Sequence, residues 1–215
     1  MFNIVSFTFN PLAENTYILH DDESGDCIII DPGCYFGNER RELLDYISEN
    51  GLHPKYLLNT HCHLDHIFGN KFVSETWKLE PYIHTLEQPV LENAAMAGLS
   101  WGLPFDNYTG PVRFLRENDV IRLGADKLKV LFTPGHSPGH VCFYSEAQNF
   151  VIGGDVLFKT GIGRTDLPGG NYETLLTSIR TRLFVLPGET LVYPGHGEST
   201  TIGFEKLHNP FLQRI

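Results

Sequence analysis

The opening thirty residues are short runs of β-branched and aromatic side chains separated by polar breaks: NIVSFTF (3–9), NTYILH (15–20) and DCIIIDPG (26–33). Each predicts a strand, and the third closes on the turn signal Asp31-Pro32-Gly33. The pattern then changes period. In GNERRELLDYISENGL (37–52), Leu43, Leu44, Tyr46 and Ile47 cluster at helical spacing beside charged residues, and Asn50-Gly51 supplies a stop, so an amphipathic helix is predicted. Such a crossover ordinarily returns the chain to a parallel strand. KYLLN (55–59) fits that strand, which places the next segment, THCHLDH (60–66), at its C-terminal end, where open α/β sheets hold their ligands. A second helix is expected over DHIFGNKFVSETW (65–77), starting at about His66.

The second half repeats the theme. Strands are predicted at KLKVLFTPG (127–135), HVCFYSE (140–146) and NFVIGGDVLF (149–158), a helix at NYETLLTSIRTRLFVL (171–186) and a closing strand at TLVYPGHG (190–197). Two halves that each run from strands to a helix suggest sheets packed together with helices outside. Between them, residues 85–113 show no clean period and mix Gly and Pro with Met96, Trp101, Phe105 and Tyr108. Scattered aromatics of this kind usually pack inward, which makes the stretch a connector over the core; the sharper reading is a lid over a site.

The length of 215 residues suits one domain spanning 1–215, and no shift in composition marks a linker. MFNIVSFTFN lacks a basic start and a small-residue cleavage site, and no apolar run approaches the roughly 18 residues that span a bilayer. A cytoplasmic protein without a membrane partner is therefore expected. The net charge of −10, with sixteen Lys and Arg that form no run, disfavours nucleic acid. Cys27, Cys34, Cys62 and Cys142 are scattered without a C-x-x-C pair and read as small, reduced, buried residues.

Composition leaves the chemistry open, and THCHLDH narrows it. In an extended segment residues two apart share a side, so His61, His63 and Asp65 can converge while Cys62 and Leu64 face away. Neutral imidazole is the commonest metal ligand, and a carboxylate lowers the net charge of a site. Three later turns each offer one more candidate after a strand: His136 in TPGHSPGH, Asp155 in GGDVLF and His196 in YPGHG. A glycine precedes each one and permits close backbone approach. Seven ligand-type residues exceed one tetrahedral site. Divided as His61, His63 and His136 against Asp65, His66 and His196, with Asp155 bridging, they would make two adjacent sites with room for solvent. Packing these groups without a cation would cost several kcal/mol. His20, His53, His84, His140 and His208 are expected to be ordinary hydrogen-bonded structural residues.

THCHLDH, PGHSPGH, GGD and YPGHG, in this order over nearly the whole chain, resemble the metallo-β-lactamase superfamily. GDVLFKTGIGRTDLPGG and HNPFL resemble its single-domain, glyoxalase II-like branch of hydroxyacylglutathione hydrolase relatives. The resemblance implies an α/β fold, an αββα sandwich of two mixed β-sheets flanked by helices, with the metal site along one edge. It implies the ligand assignment above, Asp31 as a buried supporting residue, and two divalent ions, zinc first with iron or manganese as alternatives. The implied activity is hydrolysis of a small-molecule acylthiol such as S-D-lactoylglutathione, with Asp65 and Asp155 catalytic. Arg164 in GIGRTD matches a basic position that contacts glutathione; its bland alternative is a salt bridge to Asp166. Asp166 and Glu198 stand where glutathione-binding relatives often carry aromatic groups, and no C-terminal helical domain is expected after Ile215. The runner-up is a persulfide dioxygenase-like oxidoreductase with one iron on His61, His136 and Asp155, because those relatives share HCH-x-DH and GRTD. Asp155 where lactamases commonly use cysteine makes a lactamase a lesser expectation.

Overall fold

In the computed structural model, which describes residues 1–213, the chain opens with strands β1 (Phe2–Phe9), β2 (Glu14–Asp21) and β3 (Asp26–Ile30). Helix α1 (Gly37–Glu49) and strand β4 (His53–Leu58) follow. Next come helices α2 (Leu64–Ile67) and α3 (Asn70–Trp77), strand β5 (Pro81–His84), helix α4 (Gln88–Ser100) and strand β6 (Arg113–Leu115). The first sheet has the order β1-β2-β3-β4-β5-β6, with antiparallel pairs up to β3 and parallel pairs beyond it.

The second half supplies β7 (Val120–Leu123), β8 (Asp126–Phe132), β9 (Val141–Ser145), β10 (Phe150–Gly154) and the small hairpin β11 (Leu157–Phe158) with β12 (Gly161–Ile162). Helix α5 (Tyr172–Ser178) runs into a π-helical turn at Ile179–Leu183, and β13 (Leu191–Pro194), β14 (Thr200–Thr201) and α6 (Ile202–His208) complete the described chain. The second sheet has the order β14-β13-β10-β9-β8-β7. It is antiparallel except where β10 meets β13.

Period-2 alternation explains how the sheets stack. Tyr17, Leu19, Ile28 and Ile30 share one buried cluster with Val130, Val141, Phe143, Phe150 and Ile152 of the second sheet. The intervening Ile18, Cys27 and Ile29 join Leu43, Ile47 and Val73 of α1 and α3 on the outer face. Likewise Leu131, Cys142 and Val151 turn outward onto Leu175, Leu176 and Ile179. Strands buried on both faces read as unbroken apolar runs, which is why CIII and FVI carry no polar positions. The result is the expected helix–sheet–sheet–helix arrangement.

Several expectations need correction, among them the closing strand at 190–197, since β14 and α6 follow β13. Residues 65–77 do not form one helix starting at His66: α2 begins at Leu64 and α3 at Asn70. The break is at Gly69, whose N–H donates to Pro32 O at 2.7 Å and where a Cβ would lie 2.4 Å from Cys34 Sγ. Extended alternation therefore ends at His63, and Asp65 sits in the first turn of α2. The aperiodic stretch 85–113 contains the thirteen-residue α4 and strand β6, and β5 just before it was likewise absent from the sequence reading. Ala94, Ala95, Ala97 and Gly98 leave α4 without a sharp apolar stripe. The four cysteines are free and buried.

Candidate metal centre

The ligand-bearing segments all leave strand ends on one edge of the sandwich. At the end of β3, Asp31 adopts φ +49°, in the left-handed region, an uncommon setting for a non-glycine residue. Its Oδ1 accepts the Thr60 N–H at 2.7 Å, and its Oδ2 accepts the Thr60 hydroxyl at 2.6 Å and His66 Nδ1–H at 3.1 Å. One buried carboxylate thus fixes the start of the THCHLDH segment and the ring at its end.

Partners at the other ring nitrogens settle the tautomers. Because the Thr60 hydroxyl donates to Asp31, its oxygen accepts from His61 Nδ1–H at 3.0 Å. His136 Nδ1–H donates to Arg164 O at 2.8 Å, and His196 Nδ1–H donates to Leu12 O at 3.1 Å. His61, His66, His136 and His196 therefore all turn an Nε2 lone pair toward the centre. Such outer partners are the usual way a protein orients metal-binding imidazoles.

Two trios result. The ligand atoms of His61, His63 and His136 lie within 4.8 Å of one another, as do those of Asp65, His66 and His196. His136 Nε2 is 2.8 Å from His63 Nδ1 and 3.2 Å from His61 Nε2. In the second trio His196 Nε2 is 3.2 Å from Asp65 Oδ2, and His66 Nε2 is 3.8 Å from the same oxygen. Asp155 lies between the trios: Oδ1 is 3.4 Å from His66 Nε2, and Oδ2 is 3.5 Å from both His136 Nε2 and His196 Nε2. A third grouping, Asp31, His61 and His66, is equally tight, but the Asp31 oxygens are already occupied by hydrogen bonds.

Charge follows the same division. Burial pushes the His61 and His136 pKa values down and that of His63 down to about 3, so the first trio is neutral imidazole. Burial also opposes charge on His66, but the Asp155 and Asp65 carboxylates outweigh it and raise its pKa; His196 is raised against burial by Asp65 and Asp155. Asp155 and Asp65 are held below the usual carboxylate range, with His66 overcoming the cost of burial. The second trio thus attracts a positive charge, proton or cation. Among the described residues, buried His66 Nε2 and Asp155 Oδ1 find no hydrogen-bond partner, and a Cβ on Gly195 would stand 2.1 Å from that same oxygen. Orphaned buried groups converging with bare lone pairs are what a divalent cation satisfies. The residues fit two metal positions.

Two supporting residues escaped the sequence reading. His140, expected to be a generic structural histidine, accepts the Asp155 N–H on Nε2 at 3.1 Å and sits 3.0 Å from Thr133 Oγ1 through Nδ1. Glu87 is fully buried: one oxygen accepts Cys62 N–H at 2.7 Å, and the other accepts the Ser137 hydroxyl at 2.5 Å and Gly139 N–H at 2.6 Å. It joins the segment carrying His61 and His63 to the turn carrying His136. No local signal distinguishes such a glutamate from a surface one; only its place in an otherwise apolar tertiary setting does.

His63, Asp65, His136, Asp155 and His196 face a cleft of about 1060 Å³, whereas His61 and His66 are fully buried. Arg164 also faces this cleft. Its guanidinium makes two bonds of 2.7 Å to Asp166 and stands 5.8 Å from the Trp101 ring centroid at the end of α4. The ion pair with Asp166 is therefore present, and Arg164 also stands where it lines the cleft. Glu198 pairs with Lys159 at 2.6 Å.

The sequence model of the metallo-beta-lactamase superfamily matches residues 9–196. The chain belongs to that superfamily. Among its relatives, the probable metallo-hydrolase YqgX of Bacillus subtilis is 44% identical over 94% of this chain and 93% of its own. The hydroxyacylglutathione hydrolase GloC of Haemophilus influenzae is 37% identical over 98% of both chains. Two solved structures share the fold closely. TTHA1623 in a di-iron-bound form has a TM-score of 0.86 and 41% identity, covering 97% of this chain and 100% of that one. The BLEG-1 B3 metallo-beta-lactamase has a TM-score of 0.90 and 36% identity, covering 98% and 100%. Membership and the two ligand trios together make this chain a metallo-hydrolase of the superfamily. Among the described residues no helix is long and apolar enough to cross a membrane.

Proposed function

We propose that this superfamily member is a binuclear hydrolase of acylthiols, a thioesterase of the glyoxalase II type. The observation that carries the reading is Asp155, whose carboxylate sits between the two trios and whose Oδ1 is buried without a hydrogen-bond partner among the described residues. A single-iron centre on His61, His136 and Asp155 would leave the convergence of Asp65, His66 and His196 unexplained. The likeness to GloC supports a thioester, and the di-iron form of TTHA1623 supports two ions and keeps iron beside zinc as their identity.

His61, His63 and His136 would hold one ion, Asp65, His66 and His196 the other, with Asp155 shared. Two such ions, when bound, supply a water whose pKa is lowered to about 7 and a Lewis acid for the substrate carbonyl. The protein does the rest. Asp65 is ionised and borders the cleft, so it can accept a hydrogen bond from an attacking water and orient it. Asp31 and His140 hold His66 and the Asp155 backbone in place. Arg164 offers its guanidinium to a substrate carboxylate at the rim. A thiolate, with a pKa of about 8.5, leaves without a dedicated acid, so no serine or cysteine nucleophile is required.

Metal analysis of the purified protein, combined with assays on S-D-lactoylglutathione, oxygen uptake with glutathione persulfide, and nitrocefin, tests this directly. About two ions per chain and thioester turnover without oxygen consumption are expected. Asp155→Ala should abolish turnover and lower metal content. One iron with oxygen uptake would establish the dioxygenase instead, and nitrocefin turnover alone would establish a lactamase.

A further inference from the structure

The cleft above the ligands is walled largely by carbon. Val90, Ala97 and Trp101 of α4 and its end line one part, and Phe158, Ile162 and Leu167 line another; the two stretches approach where Arg164 meets Trp101. This is a built wall, because α4 is fastened at both ends. Its first turn is tied through Glu87 to the turns that carry His61, His63 and His136. Beyond its last turn, Leu103 N–H donates to Gly98 O at 2.8 Å, Tyr35 Oη–H donates to Pro104 O at 3.0 Å, and Asn107 Nδ2–H reaches back to Leu91 O at 2.6 Å. These bonds tie the stretch to its neighbours as one side of the cleft.

The charges are as telling as the carbon. Among the described residues, the cleft's lining holds one cationic side chain apart from histidines, Arg164, and Asp166 already engages it through two bonds of 2.7 Å. A tripeptide thiol with two carboxylates and an ammonium would bring three charges to a wall that answers one of them, and unanswered charges are costly to desolvate. An alkyl or aryl body finds matching surface along the α4 wall and along Phe158, Ile162 and Leu167. At about 1060 Å³ the cleft lies at the upper end of small-molecule sites, which commonly run from about 300 to 1,000 Å³, and exceeds what a two- or three-carbon acyl group occupies.

We infer that the substrate is an acylthiol with an apolar body, a medium-length alkyl or an aryl thioester bearing at most one carboxylate, seated between α4 and residues 158–168. This rests on the thioesterase reading and specifies it. Methylenes that enter an apolar cleft raise binding by up to about fourfold each.

The test uses the metal-loaded protein and two series of thioesters. One carries acetyl to octanoyl groups on N-acetylcysteamine; the other carries a fixed acetyl group on thiols of increasing alkyl length. S-D-lactoylglutathione is the reference. The expected result is a kcat/KM that climbs about two- to fourfold per methylene in one series and passes the reference, and the series that climbs shows whether the acyl or the thiol side is seated. Ala97→Asp should flatten that climb with metal content unchanged. A flat or falling profile in both series, or a reference faster than every apolar thioester, overturns the inference and leaves the thioesterase standing. Absence of turnover on every thioester overturns both.

Discussion

Replacing Glu87 by glutamine changes one oxygen into an NH₂ group in a fully buried setting. The carboxylate accepts three hydrogen bonds, from Cys62 N–H, the Ser137 hydroxyl and Gly139 N–H, and all four residues are buried. The amide keeps its oxygen most profitably on the Ser137 and Gly139 side, where two donors converge. Its NH₂ then faces the Cys62 N–H, donor against donor. A buried donor left without an acceptor costs about 1–3 kcal/mol. Some of this is offset, since burial pushes the Glu87 pKa up against its hydrogen bonds, and a neutral side chain escapes that penalty. Relief by rotation of the Cys62 peptide would move His61 and His63, the residues on either side. The cost should therefore appear in the first ligand trio as roughly a 10- to 100-fold loss of metal affinity, the range seen when outer partners of ligands are removed. Competition against a chromophoric zinc chelator, read for both sites, measures it; circular dichroism of the chelated protein checks the fold. One weakened site beside one unchanged site is expected. Two wild-type affinities in a folded Glu87→Gln protein would refute the reasoning, and two equally weakened sites would reduce Glu87 to a general scaffold residue.

Arg164→Ala should raise KM about tenfold for a carboxylate-bearing acylthiol, a modest charge-assisted contribution because the guanidinium is half exposed, with metal content unchanged; an unchanged KM would leave Arg164 only its pairing with Asp166. His140 is held neutral by burial, well below its ordinary 6.5, so its contribution to stability is complete above pH 6.5 and is lost as pH falls toward the depressed native value. In chelated protein His140→Gln, which can still accept the Asp155 N–H, should therefore show a shallower loss of stability on acidification in urea melts, and parallel curves for variant and wild type would contradict the assignment.

The long apolar runs and the amphipathic helix were legible because burial on one or two faces writes its period into adjacent residues. CIII, FVI and GNERRELLDYISENGL declare their faces locally. α4 did not, since its alanines and glycine blur the stripe, and β5 and β6 are too short, at four and three residues, to show any period. The spacing predicts an extended segment through Asp65, whereas the chain turns into α2 there, and Asp65 still meets His66 and His196.

By itself, then, the order of residues determined which ligand-type groups stand just beyond strand ends, because ligand type and turn glycines are properties of short segments. Tertiary structure alone decided that His140 and Glu87 brace the ligand segments, and that α4 walls the cleft. Tautomer, charge and orphaned oxygens depend on atoms a few ångströms apart but up to 184 positions distant in the chain, as with His196 and Leu12. Electrostatic interaction falls with distance through space, and distance along the sequence leaves no trace of it.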